Sequence, residues 1–391
     1  MQVRAEAAIL INADTGAILY EKNPYELHYP VSTTKVATGL FVLKQRGDDL
    51  DHVIAACRDA IVSMSQDAKR KSNYRHPAYW LEPDGSHIGI KDGEKMSLRD
   101  LLYGMLVVSG NDAANVLAQE VGGTIPAFME QLNAYLTELG CKQTTFYSPH
   151  GLHHPQHQTS AFDLALITRE ALKNPTFCQI VSTVRWTRPK TNMQQATALV
   201  QSNQLLRKGA LHYAKAIGVK TDYHCKAKHA FIGAARSDGR TLIAVLLTCP
   251  QRKHLFEDAV KLFDTAFNQP KIQLTALQAG PQSFTLPLPY ADRPLTTWLA
   301  EQLSVEYYPS EDPQPKCLLY WEASAVPIEK GQRVGRVQLV AQNGELLKET
   351  PLYASEDVHK TMWIRRHPLL ALLGTLAVLG LVTGFIFIRR Q

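Results

Sequence analysis

The chain has 391 residues, of which 45% are hydrophobic and 20% are charged, so it can form two domains with substantial cores and is not a disordered chain. Its formal net charge of +6 is modest for this length, and the sequence contains no dense run of Lys and Arg. This pattern argues against a nucleic-acid partner. The six cysteines are widely scattered without a C-x-x-C pair, which favours buried free thiols over a zinc or redox site.

The N-terminal region is predicted to contain a β-hairpin followed by a helix. Residues 8–12 and 17–21 are mostly apolar and flank a turn at Asp14-Thr15-Gly16. A helix is predicted to begin near Ser32, and the polar, Pro- and Gly-rich residues 64–95 predict a long loop or small lobe. No basic and apolar leader precedes the hairpin, so a signal peptide is expected to be absent or already removed.

The central region is predicted to consist of helices followed by strands. Helices are expected from Ser97, after Asn111, over 125–139 and over 160–172. Strands are then expected over 216–221, 230–235 and 241–247, and a last amphipathic helix over about 255–267. The region therefore combines helices and strands in one predicted domain, residues 1–268.

The sequence pattern of the C-terminal region differs from that of the preceding domain. Short β-like segments separated by Pro and Gly predict a small all-β domain over 269–355, and residues 356–367 are predicted to be a connector. Residues 368–388 form a run of 21 residues without a charge, enough for a helix to cross about 30 Å of hydrocarbon. We expect a transmembrane helix there, with a buried core helix as the alternative. Arginines flank both ends, so the charge pattern does not define its orientation.

Three short motifs stand in order along the chain. Each pairs chemically active residues at a fixed spacing, namely Ser32 with Lys35, Ser109 with Asn111, and Lys220 with Thr221. A spacing of three places the hydroxyl of Ser32 and the amine of Lys35 on one helical face. Alone, this pair is more typical of a helix N-cap serine followed by a solvated lysine than of a catalytic pair. Together, at a helix start, an interhelical loop and a strand, the three correspond to the motif set of serine β-lactamases and penicillin-binding proteins.

The chain resembles the low-molecular-weight penicillin-binding proteins, which are serine-type D-alanyl-D-alanine carboxypeptidases of bacterial cell walls. The likeness extends to the stretches AAILINADTGAILYEKN, LLYGMLVVSGNDAANVLA and YSPHGL, and it spans roughly residues 5–355. It implies an α+β fold with a catalytic domain like that of β-lactamases and DD-peptidases, built on an antiparallel five-stranded sheet with helices. It also implies a β-sandwich domain after the catalytic domain and a membrane-attached C-terminus.

The resemblance implies removal of the terminal D-alanine from peptidoglycan stem peptides through an acyl-enzyme on Ser32, without a metal or another cofactor. It implies β-lactam antibiotics as covalent inhibitors. We expect the protein at the cell membrane, with its catalytic domain on the periplasmic or outer face and the C-terminal helix as a single anchor. The alternatives are a DD-endopeptidase acting on cross-linked peptidoglycan and a catalytically weak wall-binding protein.

Amide cleavage by a serine requires a base that accepts the hydroxyl proton. Lys35 can accept it only when it is neutral, so its pKa must be lowered by burial and by a nearby cation. Lys220 is the expected cation. Ser32 is then the nucleophile and Lys35 its base.

The resemblance gives further roles to residues around this pair. Ser109 would relay a proton to the leaving amine, and Asn111 would hold Lys35 and the substrate backbone. Thr221 would contact the terminal carboxylate of the substrate. The backbone N–H groups of Ser32 and Tyr223 would form the oxyanion hole, which stabilises the negative oxygen of the transition state.

Position 222 departs from the family, because the glycine of the third motif is replaced by Asp222. In a strand, Lys220 and Asp222 point to the same face about 6.6 Å apart. A carboxylate there favours charged lysine and repels a substrate carboxylate. We therefore expect either a preference for cross-links in which no free carboxylate sits at that subsite, or slow turnover.

A cluster of histidines lies in the stretch SPHGLHHPQHQTS, at His150, His153, His154 and His157. Their intervals match no helix and no known metal-ligand motif. We therefore predict a polar surface loop rather than a zinc site.

Overall fold

A five-stranded antiparallel sheet lies at the centre of the N-terminal part of the chain. The computed structural model describes residues 2–361 and 384–386, and the chain divides into two units after Asn268. The strands of the first unit are β1 (Ala7–Asn12), β2 (Ile18–Lys22), β3 (Val53–Ala55), β4 (Lys95–Ser97), β5 (Arg185–Arg188), β6 (Thr197–Val200), β7 (Ala216–His224), β8 (Lys228–Ser237) and β9 (Arg240–Cys249). Five of them form a sheet in the order β2-β1-β9-β8-β7, and every pairing in it is antiparallel. The expected five-stranded antiparallel sheet is confirmed.

Helices cover both faces of this sheet. They are α1 (Thr34–Arg46), α2 (Arg58–Ile61), α3 (Gln66–Lys71), α4 (Leu98–Val107), α5 (Asn111–Gly122), α6 (Ile125–Glu138), α7 (Ala161–Ala171), α8 (Pro175–Ser182) and α9 (Arg252–Phe267). Side chains of one strand alternate between two apolar clusters, because successive residues of a strand face opposite sides. In β9, Ile243 and Val245 belong to the cluster that includes residues of α1 and α4, whereas Leu242 and Ala244 pack with α9. Strands buried on both faces read as continuous apolar runs, which explains the sequence of β9.

Helix α1 is enclosed by protein, and it carries the Lys of the first motif. Every residue from 34 to 43 is buried. Polar side chains in such a helix must find partners inside the protein. Thr34 Oγ1 donates to the carbonyl of Val31 at 2.8 Å, and Thr38 Oγ1 donates to the carbonyl of Pro149 at 2.7 Å.

Four short strands and one helix of the first unit were not predicted from the sequence. The strands β3 and β4 pair with each other, as do β5 and β6, and each strand has three or four residues. Helix α8, which begins at Pro175, was also not predicted. Such short elements contain too few residues for a hydrophobic period to stand out.

All six cysteines are free, as expected, but only half of them are buried. Cys141, Cys249 and Cys317 are buried, Cys57 and Cys178 are partly exposed, and Cys225 is exposed. The prediction of buried thiols is therefore wrong for Cys225, which lies at the end of β7 where the chain turns into β8.

The second unit is built from β-strands around its own apolar core. These strands are β10 (Ile272–Leu277), β11 (Gly280–Leu286), β12 (Leu295–Leu299), β13 (Leu303–Tyr307), β14 (Lys316–Trp321), β15 (Arg333–Val340), β16 (Leu346–Ala354) and β17 (Gly384–Ile386). One sheet pairs β10 with β13, and the other has the order β11-β12-β16-β15-β14-β17. Leu303 of the first sheet and Leu352 of the second belong to one buried cluster, so the two sheets form a sandwich. Val358 is fully buried in the same cluster, so the chain packs on the sandwich beyond residue 355.

The predicted transmembrane helix over 368–388 lies outside the described residues except at Gly384–Ile386. These three residues form a strand that pairs with β14, which differs from the helix expected there. The edge of β14 offers unpaired backbone groups, and a strand satisfies them. Across residues 2–361 and 384–386, no helix combines the length and apolarity needed to cross a membrane.

Candidate active site

The structure brings the two residues of the first motif into contact. Ser32 lies in a short 3-10 turn, Val31–Thr33, and Lys35 lies in the first turn of α1. Lys35 Nζ is 2.8 Å from Ser32 Oγ. Ser32 is 7% exposed and Lys35 is fully buried. The hydroxyl therefore faces a cleft while the amine is shielded from water.

Lys35 has the surroundings of a neutral amine. Burial, followed by the charge of Lys220, holds its pKa well below the ordinary lysine value, although Asp222 and Asp112 act in the opposite direction. Nζ lies 2.7 Å from Asn111 Oδ1 and 2.7 Å from the carbonyl oxygen of His150. Both oxygens only accept hydrogen bonds, so they take the two N–H groups of a neutral amine. The remaining lone pair then faces Ser32 Oγ, as a base for the serine proton requires.

Lys220 supplies a second amine beside the site. It is buried, and its Nζ donates to the carbonyl of Thr221 at 3.0 Å. Burial lowers its pKa to about 8, against the opposing charge of Asp222. Lys220 is therefore mostly charged at neutral pH and stabilises the neutral form of Lys35.

The two residues of the second motif differ in their contacts, because Asn111 is hydrogen-bonded to Lys35 and Ser109 is not. Asn111 is the first residue of α5, where its amide oxygen reaches Lys35. Ser109 precedes the helix in a left-handed conformation with φ of +68°. Its hydroxyl is buried and has no hydrogen-bond partner within the part of the chain that the structure describes. The structure thus brings Asn111 to the base, whereas Ser109 contacts neither Lys35 nor Ser32 by a hydrogen bond.

Asp112 is a positioning residue that the sequence analysis missed. Its carboxylate accepts the backbone N–H groups of Ile88, Gly89 and Ile90 at 2.8 to 3.1 Å. These bonds attach the loop before β4 to the start of α5 beside Asn111. An acidic residue in the first turn of a helix was the available signal, but it does not reveal which loop the carboxylate holds.

The third motif lies on β7, at the edge of the central sheet. Ser32, Asn111 and Asp222 line a cleft of about 390 Å³. Thr221 and Ser109 line an adjacent cavity of about 290 Å³. Tyr223, which is 57% exposed, borders both spaces. The predicted substrate-binding residues of β7 are therefore beside the nucleophile.

The loop that follows α6 contacts Lys35 through the carbonyl of His150. Gly151 has φ of +88°, and a Cβ atom there would lie 1.9 Å from the carbonyl oxygen of Val31. Glycine is therefore required by both conformation and space. This close approach fixes the carbonyl of the preceding residue, His150, against Lys35.

The prediction of a polar surface loop for the histidine cluster is wrong. His150, His153 and His157 are buried. The Nε2 atom of each has a partner far along the chain, such as Thr34 Oγ1 at 2.9 Å from His157 Nε2, and these contacts offset the loss of hydration. Within residues 2–361 and 384–386, no group of three His, Cys, Asp or Glu side chains is placed to hold a metal ion.

Asp222 makes a contact that the sequence did not suggest. Its Oδ2 accepts the backbone N–H of Ser32 at 2.6 Å. The carboxylate does raise the pKa of both Lys35 and Lys220, as expected from its place on the strand. For Lys35, burial and the charge of Lys220 outweigh it, so Asp222 does not prevent a neutral base.

The fold and the site together have the form of an active-site-serine enzyme with a lysine base. Residues 1–251 match the model of peptidase family S11, described as D-alanyl-D-alanine carboxypeptidase, and residues 305–360 match the C-terminal domain of penicillin-binding protein 5. The chain is 30% identical over 372 residues to D-alanyl-D-alanine carboxypeptidase DacF of Bacillus subtilis, which covers 92% of this chain and 87% of that protein. The chain belongs to the D-alanyl-D-alanine carboxypeptidase family.

Solved structures agree with this assignment. Penicillin-binding protein 5 from Haemophilus influenzae is similar with a TM-score of 0.61 and 25% identity, over 92% of this chain and 99% of that one. The Streptomyces K15 DD-transpeptidase is similar with a TM-score of 0.59 and 28% identity, over 68% of this chain and 98% of that one. The similarity to penicillin-binding protein 5 extends over both the catalytic domain and the β domain.

Proposed function

We propose that the protein is a penicillin-binding, serine-type D-alanyl-D-alanine carboxypeptidase that removes the terminal D-alanine from peptidoglycan stem peptides. The observation that carries the proposal is the amine of Lys35, fully buried, 2.8 Å from Ser32 Oγ and held by two fixed acceptors. This arrangement supplies a nucleophile and a base in one preformed pair. Family membership supports the substrate class.

In the first step, Ser32 Oγ attacks the carbonyl carbon of the penultimate D-alanine while its proton passes to Lys35 Nζ. The C–N bond then breaks, and the leaving nitrogen takes a proton, for which Ser109 is the proposed relay. D-Alanine departs and leaves an ester on Ser32. Water hydrolyses this ester and restores the serine.

The groups around the pair have matching roles in the proposal. The backbone N–H groups of Ser32 and Tyr223 receive the negative oxygen that develops on the carbonyl, and one such donor contributes about 3 kcal/mol in comparable enzymes. Thr221 receives the terminal carboxylate in the cavity beside β7. Asn111 orients both the base and the substrate backbone. Covalent reaction with β-lactams follows the same acylation route.

The first test is covalent labelling of the purified chain with a fluorescent penicillin, combined with release of D-alanine from a defined stem peptide. We expect labelling and release in the wild type and in Ser237→Ala, which removes a hydroxyl from the last residue of β8. We expect neither in Ser32→Ala. A folded wild type that shows no labelling and releases no D-alanine would refute the proposal.

A second candidate function is a DD-endopeptidase, and Asp222 is the observation that favours it. Asp222 lines both the cleft and the cavity that Thr221 borders, so it repels a free carboxylate bound there. Cross-links without a free carboxylate at that subsite avoid this repulsion. Digestion of defined monomeric and cross-linked muropeptides decides between the two activities, since an endopeptidase converts the dimers faster than it trims the monomers.

We also propose that the protein acts at the outer or periplasmic face of the cell membrane and is anchored by residues 368–388. The support is the run of 21 uncharged residues. A membrane helix through Gly384–Ile386 and the strand that they form beside β14 exclude each other. If residues 368–388 span the membrane, the full chain should stay in membranes washed with alkaline carbonate. A chain ending at residue 361 should be released. Release of the full chain would refute the anchor.

A further inference from the structure

The proposed acylation needs two hydrogen-bond donors, the backbone N–H groups of Ser32 and Tyr223. The carboxylate of Asp222 accepts a hydrogen bond from the first of them. Its Oδ2 lies 2.6 Å from the backbone nitrogen of Ser32, the residue that carries the nucleophile. A bond from an N–H to an ionised acceptor is short and about twice as strong as a neutral one. At 2.6 Å, this bond is at least as short as such a charge-assisted bond.

The same N–H has to point at the substrate oxygen during the reaction. In acyl transfer, the carbonyl oxygen becomes negative as Ser32 Oγ bonds to the carbonyl carbon, and donors must lie about 2.7 to 3.1 Å from that oxygen. The N–H of Ser32 is adjacent to Oγ in the same residue, so it is geometrically suited to this role. One N–H cannot serve the carboxylate and the substrate oxygen at full strength simultaneously.

Among the described residues, no salt bridge fixes the carboxylate of Asp222, although the charge of Lys220 attracts it. Across residues 2–361 and 384–386, the N–H of Ser32 is the hydrogen-bond partner of its side chain. The residue is only partly buried and lines both the cleft and the neighbouring cavity of about 290 Å³. It therefore has space on the cavity side to turn away from Ser32.

We propose that Asp222 is an internal occupant of the oxyanion hole, which must leave the N–H of Ser32 before a substrate carbonyl can be acylated. The inference rests on the proposed function and explains how this chain, with a carboxylate in place of the family glycine, restrains that reaction. The restraint acts through one donor, while the hydrogen bond between Ser32 and Lys35 stays in place. It applies equally to peptides and to β-lactams, since both present a carbonyl oxygen to the same donor.

The test compares second-order acylation rate constants for a fluorescent penicillin, with the labelled residue identified by mass spectrometry. Asp222→Gly frees the N–H, and loss of one charge-assisted bond corresponds to a rise of about 10- to 100-fold. Asp222→Asn keeps an acceptor of the same shape without the charge, so its rate should lie between those of the wild type and Asp222→Gly. Asp84→Asn is the charge control, because it removes a carboxylate from the same cleft that makes no bond to Ser32.

Faster labelling in Asp222→Gly, an intermediate rate in Asp222→Asn and a change below about threefold in Asp84→Asn would support the proposal. An unchanged or slower rate in Asp222→Gly, with a melting temperature like that of the wild type, would overturn it. Equal acceleration in Asp84→Asn would also overturn it, in favour of general charge repulsion. Absence of labelling in all variants, including the wild type, would instead refute the proposed function on which the inference rests.

Discussion

The replacement Asn111→Asp tests whether Lys35 acts as a neutral base. Asn111 Oδ1 lies 2.7 Å from Lys35 Nζ, so a carboxylate of the same shape would place a full negative charge beside the amine. Two unit charges about 4 Å apart interact by about 4 kcal/mol at an effective dielectric constant of about 20. This corresponds to an increase of about three units in the pKa of Lys35.

The assay is the pH dependence of the acylation rate constant with a fluorescent penicillin. In the wild type, the pKa of Lys35 is held well below its ordinary value, so the base is available at neutral pH. In Asn111→Asp we expect acylation at pH 7 to fall by at least about 100-fold and to recover about tenfold per unit as the pH rises, because each unit deprotonates more Lys35.

Asn111→Ala is the matched control, since it removes the acceptor without adding a charge. It should slow acylation without introducing the tenfold slope. A wild-type rate and an unchanged pH profile in Asn111→Asp would refute the assignment of Lys35 as the base.

Three further predictions concern the support of the site. Gly151→Ala should lower the labelling rate and the melting temperature, because its Cβ meets the carbonyl of Val31 at 1.9 Å; wild-type values for both would contradict this. Asp112→Ala should destabilise the protein by about 3 kcal/mol in denaturant unfolding, because it leaves several N–H groups of the loop at 88–90 unpaired, and Asp112→Asn should be milder. Burial lowers the pKa of His157 to about 3, so unfolding free energy should be lost as the pH falls from about 6.5 towards 3. His157→Gln should reduce that loss by about 1.4 kcal/mol per pH unit in this range, and an unchanged slope would exclude His157 as its source.

The contact between Ser32 and Lys35 could be predicted from the sequence because it is local. Helical geometry brings residues three apart onto one face, so spacing alone was sufficient. The antiparallel sheet followed from apolar strands together with the family resemblance. These features depend on periodicity and on motifs, which one sequence contains in full.

The parts that escaped prediction depend on contacts between distant segments. The bond between Asp222 and Ser32 joins residues 190 positions apart, and a strand pattern gives no indication of which backbone group a side chain will reach. The buried state of His157 was missed for the same reason, because its partner Thr34 is 123 positions away. Polar residues between turn signals resemble a surface loop until such partners are known.

Strand β7 is the last strand in the order of the central sheet, so one of its sides has no neighbouring strand. The nucleophile, in contrast, stands at the start of a helix enclosed by the core. A substitution at the partly exposed Asp222 therefore leaves the interior packing as it is, whereas a change at residues 34–43 of α1 disturbs buried neighbours. Single substitutions at this border can therefore alter the speed and selectivity of the site while the catalytic pair keeps its buried surroundings.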